Sequence, residues 1–351
     1  MNIEDVVRSI SPLDEGCMEK ARNRQDQLTK PQGSLGRLEE ISVQLAGIYR
    51  TELPKVGKKV IFTMAADHGV AAEGVSAYPS EVTAQMVLNF SNGGAAINVI
   101  ARHVGAEVMI VDMGVKSDII WPPAVIQRKI GMGTANMARD KAMTRAQAEA
   151  AIMTGIDLAH NAIDNGANLI GIGDMGIGNT TSASAITAII TGKDVSEVVG
   201  RGTGLDDAGL LRKIEIIRRA LRLHAPDPKD ALGILECVGG FEIAGMAGVI
   251  LAAASKRVPV VLDGFISGSA ALIAATIAPI SRAYMIASHR SVEKGHDAIL
   301  RHLGVAPLLD LNMRLGEGTG AALAMPIIEA SCKILTEMAT FESAGVSRKE
   351  G

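Results

Sequence analysis

Apolar positions in this chain fall into two rhythms. Short, largely apolar runs at residues 59–65, 106–111, 167–172, 258–262 and 284–291 have the length and composition of buried strands. Between them lie longer stretches in which small and apolar residues recur at helical spacing. Strands separated by helices of that length predict a parallel, doubly wound α/β sheet. Punctuation marks several helix ends. Pro31 and Gly33 break the helical pattern of residues 1–50, and Ser34 is placed to cap the next helix, with Arg37 and Glu39 in its first turns. Ser80 and Thr83 open a helix that Asn92-Gly-Gly94 ends, residues 95–104 form another, and Thr144 caps a helix running to Asn165. Residues 116–145, with Trp121-Pro-Pro123 and Gly131-Met-Gly133, read as irregular. Residues 264–281 carry no charge and are long enough to mimic a membrane span, but Ser267, Ser269, Thr276 and Pro279 within them, and Asp263 beside them, predict a buried helix. There is no fixed-period repeat, low-complexity tract or interdomain linker. The expected organisation is a helical segment at 1–50, a sheet domain at 51–310, and an active-site loop with terminal helices at 311–351 that completes a small lobe with the N-terminal segment.

Composition narrows the class. Hydrophobic residues make up 48% of the 351 but aromatics only 3%, so the core is built of Ala, Val, Ile, Leu and Met. A net charge of −3 without a basic block argues against nucleic acid or an anionic membrane as partner. Cys17, Cys237 and Cys332 are scattered and share no CxxC spacing, which fits reduced, structural cysteines in the cytoplasm. Met1-Asn-Ile-Glu-Asp5 has neither the basic nor the apolar region of a signal peptide.

The chemistry concentrates in two glycine-rich stretches. Gly171-Ile-Gly-Asp-Met-Gly-Ile-Gly-Asn-Thr-Thr181 follows an apolar run and precedes small residues at helical density. It predicts a strand, a glycine turn around Asp174, and a helix start whose free N–H groups suit an anion. Leu315-Gly-Glu-Gly-Thr-Gly320 repeats the pattern around Glu317, and the two are expected to face one cavity. A carboxylate in a dry, glycine-lined pocket has a raised pKa and makes a competent base; Glu317 also fits a plain helix N-terminal acid. Gly200-Arg-Gly-Thr-Gly204 leads into a helix with Lys213, Arg218 and Arg219, which reads either as a phosphate site or as a solvated face. Asp67-His68, at the end of a strand, reads either as part of a site or as a pair ordering a loop; Lys30-Pro-Gln-Gly33 either dresses the core or borders the site.

Gly171-Ile-Gly-Asp-Met-Gly176 formally satisfies G-x-G-x-x-G, with Asp194 near the offset of a ribose-binding acid, so a dinucleotide-dependent oxidoreductase is a rival. Its mid-chain position and the charge of Asp174 inside the motif weigh against it. No lysine follows the glycines as a Walker A loop needs, and the seven histidines show no metal-ligand spacing. A non-catalytic nucleotide-binding protein is the second rival.

Five segments, taken in order, carry a resemblance that spans nearly the whole chain: Lys30-Pro-Gln-Gly-Ser-Leu-Gly36, Ala66-Asp-His-Gly-Val70, Gly173-Asp-Met-Gly-Ile-Gly-Asn-Thr-Thr181, Ser288-His-Arg-Ser291 and Leu309-Asp-Leu-Asn-Met-Arg-Leu-Gly-Glu-Gly-Thr-Gly-Ala321. The chain resembles the nicotinate-nucleotide–dimethylbenzimidazole phosphoribosyltransferases, which assemble the lower ligand of cobalamin. The resemblance implies a Rossmann-like doubly wound parallel sheet with a small helical lobe from both termini, in a cytoplasmic homodimer. It also implies transfer of 5-phosphoribosyl from nicotinate mononucleotide to a benzimidazole-type base with inversion at the anomeric carbon, using no cofactor or metal. Glu317 matches the family's general base and Asp174 a second acid near the ribose. Gly176, Gly178, Asn179, Thr180, Gly202, Thr203, Gly204 and Lys213 would surround the 5′-phosphate. Ser291, Leu315 and Gly316 would contact nicotinate or the base, and the segment containing Tyr78, Gln85 and Met86 would wall the aromatic pocket.

Overall fold

A computed structural model describes residues 2–347. The apolar runs become strands β1 (Lys58–Ala66), β2 (Ala106–Gly114), β3 (Val125–Gln127), β4 (Ala167–Met175), β5 (Val260–Leu262) and β6 (Met285–Ala287). Every pairing is parallel, in the order β3-β2-β1-β4-β5-β6. The chain therefore winds outward one way from β1 and then the other way from β4. Where the winding reverses, the connections at the carboxyl ends of β1 and β4 part and leave a crevice. β1 is buried from Val60 to Ala66, as a central parallel strand covered on both faces must be.

Helices cover each face. On one, helices Arg145–Asp164 and Phe241–Ser255 pack so closely that a Cβ on Gly155 would lie 1.9 Å from the Gly245 carbonyl oxygen, and one on Gly248 would lie 2.0 Å from that of Ile152. These are backbone-to-backbone contacts with no side chain to move aside. Gly155→Ala is therefore expected to push the helices apart and lower stability by about 1–3 kcal/mol or more, read as a shift in the urea midpoint. The opposite face carries helix Thr319–Glu337, whose Ala321 and Met325 pack over Gly171 and Ile61. That helix also joins the termini. With helices Glu15–Gln25 and Arg37–Tyr49 it buries Ala21, Val43, Ala46 and Leu335 in a separate small cluster, and Leu28 bridges Thr340 in antiparallel pairing. The uncharged stretch after Asp263 is helix Phe265–Ile277, buried from Phe265 to Ala275. Among the described residues no helix is long and apolar enough to cross a membrane.

Thr144 caps its helix as expected, its hydroxyl accepting from Gln147 N–H. Three expectations need correction. Residues 116–145 are not wholly irregular, because Val125–Gln127 adds an edge strand to β2. Ser34 does not cap the Arg37–Tyr49 helix: Gly36, at φ 50°, is the N-cap and provides no side chain. Glu39 does the work from inside the helix, accepting from Leu35 N–H at 3.0 Å and from Lys30 Nζ at 2.7 Å. Finally, the strand expected at 167–172 runs on through Gly173-Asp-Met175, so the turn begins only at Gly176. Its glycines serve close approach: a Cβ on Gly173 would sit 2.1 Å from Gly318 N.

Candidate active site

Four strands end on polar residues at the crevice side of the sheet: Asp67 and His68 after β1, Asp174 near the end of β4, Asp263 after β5, and His289 with Ser291 after β6, of which Asp174, His289 and Ser291 line the cavity itself. The C-terminal segment returns across these ends. Gly316, Glu317 and Gly318 have φ of 88°, 64° and 94°, a left-handed run that reverses the chain over Gly173. The run is pinned from three strands. Glu317 N–H donates to the Asp174 carbonyl at 3.2 Å, and the Glu317 carbonyl accepts from Thr63 Oγ1 at 2.8 Å. Asp263 accepts from Gly318 N–H at 3.0 Å, Gly320 N–H at 2.6 Å and Ala321 N–H at 3.2 Å, and so caps helix Thr319–Glu337 from outside.

The side chain of Glu317 is 5% exposed and accepts from Ile97 N–H, in the first turn of helix Ala96–Val104, at 3.1 Å. Burial raises its pKa; the Ile97 N–H draws it partly back. Asp174 lies beside it, with Asn179 Nδ2 donating to its carboxyl at 2.8 Å. Burial, with Asp263 and Glu242 nearby, pushes Asp174 well above the usual carboxylate range. Asp263 is raised to about 6 by burial, against the pull of His289 and its N–H donors. Burial thus raises all three acids, Glu317, Asp174 and Asp263, and favours their protonated forms.

A cavity of about 470 Å³ opens at these strand ends. Asp174, Gly176, Asn179 and Thr180 line it from β4 and the following helix, and Gly202 and Thr203 from the next loop. Ser291 contributes from the β6 end, Leu315 and Gly316 from the returning segment, and Tyr78 from the rim. The Thr203 hydroxyl accepts from Ala77 N–H at 2.9 Å, which ties the Tyr78 loop to the glycine loop. Lys213 stands behind the wall, fully buried, with Nζ donating to Thr180 Oγ1 at 2.7 Å and lying 3.2 Å from where a Cβ on Gly202 would be. Burial brings its pKa down to about 8. Gly178, at φ 97°, is the N-cap of helix Asn179–Thr191, which has no capping side chain and whose first residues, Asn179 and Thr180, line the cavity.

Not every expected residue reaches the cavity. Gln85 is exposed and Met86 packs half-buried against the core on helix Glu81–Ser91; neither lines it. The helix presents Thr83, Ala84 and Val87 inward, and a helix turned that way carries Gln85 to the outside. Gly204 lines an adjoining hollow with Arg201 and Arg314. Glu317 faces Ile97 behind the lining made by Asp174 and Gly316. Asp194, the ribose acid of the dinucleotide reading, caps the short helix Val195–Val198 and pairs with Arg218 on the surface. With Gly171 and Gly173 inside β4, the G-x-G-x-x-G turn of that reading does not form.

Sequence reading passed over Asp263, His289, Glu293 and Arg314. Asp263 had a signal: an acid directly after an apolar run and before Gly264. His289 Nε2 stands 3.8 Å from Asp263. His296 Nδ1 accepts from Ser291 N–H at 2.9 Å, and burial takes its pKa down to about 3, so it stays a neutral acceptor. Both readings of Asp67-His68 have support. Asp67 accepts from Lys116 N–H at 2.7 Å and orders that loop, while His68 meets Glu242 at 2.6 Å under the Gly176–Gly178 turn.

The family model described as phosphoribosyltransferase matches residues 10–346. A nicotinate-nucleotide–dimethylbenzimidazole phosphoribosyltransferase of Roseiflexus sp. (strain RS-1) is 60% identical over 99% of this chain and 98% of its own. The protein of that name from Chloroflexus aggregans is 59% identical over 99% of each. Among solved structures, CobT from Thermus thermophilus superposes with a TM-score of 0.92 at 47% identity, covering 95% of this chain and 100% of that one.

Proposed function

The chain belongs to the nicotinate-nucleotide–dimethylbenzimidazole phosphoribosyltransferase family, and from that premise we propose how its residues divide the work. It transfers 5-phosphoribosyl from nicotinate mononucleotide to 5,6-dimethylbenzimidazole or a related base, giving α-ribazole 5′-phosphate and nicotinate, a step in cobalamin biosynthesis. The incoming nitrogen attacks the anomeric carbon from the face opposite nicotinate. The bond to the pyridinium nitrogen breaks, its electron pair stays on that nitrogen, and the configuration inverts. The proton of the base's other nitrogen passes to the Glu317 carboxylate. The observation that carries this assignment is a buried carboxylate with a raised pKa, fixed by its own backbone beside Asp174 just behind the cavity wall. Rotation about its side chain brings it from Ile97 toward the cavity.

Asp174 faces the ribose. Burial favours its protonated form; the cationic pyridinium of the bound nucleotide favours its ionised form, and the carboxylate then offsets charge as the anomeric carbon becomes cation-like. The 5′-phosphate lies against Gly176, Gly178, Asn179, Thr180 and the Gly202–Thr203–Gly204 loop, over Lys213. The aromatic base sits between Tyr78, Ser291 and the Leu315-Gly316 backbone. The working form is a cytoplasmic homodimer, and the described parts of residues 1–50 and 311–351, namely 2–50 and 311–347, form its small lobe.

The experiment is to mix protein, nicotinate mononucleotide and dimethylbenzimidazole and measure free nicotinate and α-ribazole 5′-phosphate. Binding of mononucleotide without release would overturn the reading. Lys213 gives a second handle. A buried ammonium with pKa about 8 is charged below that pH and neutral above it, whereas a bound phosphate requires it charged. The KM for the mononucleotide is expected to be flat below pH 8 and to rise up to about tenfold per pH unit above it. Lys213→Ala should raise that KM by the equivalent of about 1–3 kcal/mol and remove its alkaline rise, leaving the KM for the base nearly unchanged.

A further inference from the structure

Thr83 lies in the first turn of helix Glu81–Ser91 and is fully buried. A threonine at such a position commonly caps or back-bonds its own helix. Here the hydroxyl oxygen instead accepts from Ile177 N–H at 3.1 Å, at the middle of the Gly176–Gly178 turn. Ile177 lines the cavity, and its amide is the one in the turn held by a side chain from another element. Asp67 is fixed through Lys116 N–H, and its Oδ1 is buried without a hydrogen bond. Next along the chain, His68 backs the turn directly: its Cβ lies 3.2 Å from where Gly178 would carry a Cβ, and its Cδ2 3.4 Å from that of Gly176. Glu242 holds the ring from behind.

We propose that Thr83 is a positioning residue for the nucleotide: accepting the Ile177 N–H, it fixes the Gly176–Gly178 turn so that its neighbouring amides stay aimed at a phosphate ester. The inference rests on the reading that this turn receives the 5′-phosphate, and adds a residue that touches neither substrate. A glycine-flanked turn has a large conformational freedom to lose, so an external anchor lowers the cost of ordering it on binding. The anchor sits on the helix that follows the Tyr78 loop, so the turn and the rim of the cavity share one support.

The test is Thr83→Val, which keeps the branched shape and removes the acceptor, compared with Thr83→Ser, which keeps the hydroxyl. Nicotinate release is measured with each substrate varied in turn, alongside thermal unfolding. The valine variant is expected to raise the KM for nicotinate mononucleotide about tenfold, with kcat and the KM for the base within about twofold of wild type. The serine variant should return the nucleotide KM to within about twofold. An unchanged nucleotide KM in the valine variant, an equal rise for both substrates, or a serine variant as impaired as valine would each overturn the proposal. If valine prevents folding, Thr83→Ala against Thr83→Ser makes the same comparison with the same outcomes. Wild-type protein that releases no nicotinate overturns the reading of the whole site; active wild type matched by the valine variant overturns this inference alone.

Discussion

Glu317→Gln is expected to leave a folded protein that binds nicotinate mononucleotide normally and turns over about 10²–10⁴-fold more slowly. The size follows from what the substitution removes. Glutamine fills the same volume, and its amide oxygen can still accept from Ile97 N–H, so the contacts of the buried side chain survive. Burial already disfavours charge at this position, and exchanging the carboxylate for a neutral amide costs little stability. The amide cannot take up the proton that the benzimidazole must lose. Single-turnover nicotinate release measures the chemical step, and calorimetry with the mononucleotide checks binding. Turnover near wild type would remove Glu317 as the base.

Asp263→Ala is expected to lower stability by on the order of 3 kcal/mol or more and to depress kcat with it. Three backbone N–H groups, of Gly318, Gly320 and Ala321, lose one common acceptor in a buried setting. Each orphaned donor costs about 1–3 kcal/mol unless water enters. The same carboxylate fixes the start of the helix that follows Glu317, so the loss extends from fold to chemistry. Asp263→Asn retains one oxygen and the volume, and should fall between alanine and wild type in both respects. Denaturant unfolding and nicotinate release, measured on the same samples, test the pair. An alanine variant that keeps wild-type stability and rate would show that the helix start is held by other means.

How much of this could be read beforehand depended on how local each interaction is. β1, β2 and β4 were legible because a doubly covered parallel strand needs an apolar run, and that is a short-range property. β3 was not: it has only the three pairs of Ile110, Val111 and Asp112 with Val125, Ile126 and Gln127, too few to leave a pattern in a stretch rich in Pro and Gly. Of the glycines around Asp174, Gly178 turns the chain as expected, at φ 97°, whereas Gly173 lies inside β4. Composition alone does not distinguish a glycine that lets the chain turn from one that lets another backbone lie close, as Gly173 does under Gly318. Ser34 failed as a cap because Glu39 reaches back to Leu35 N–H, a choice decided by the ion pair with Lys30. The pairing of His68 with Glu242 and the clamp by Asp263 on residues 318–321 join positions 174 and 55–58 residues apart, and only the wound sheet brings them together.

The left-handed run at 316–318 has a consequence for synthesis of the chain on the ribosome. By residue 310 all six strands have been made, yet Thr63 lacks the carbonyl it bonds, Asp263 lacks its three donors, and the cavity lacks one wall. A nascent polypeptide stalled there would lack the cover of helix Thr319–Glu337 over Gly171, the Leu315-Gly316 wall of the cavity and the residue proposed as the base. The final stretch therefore completes the sheet's cover and the proposed catalytic centre together.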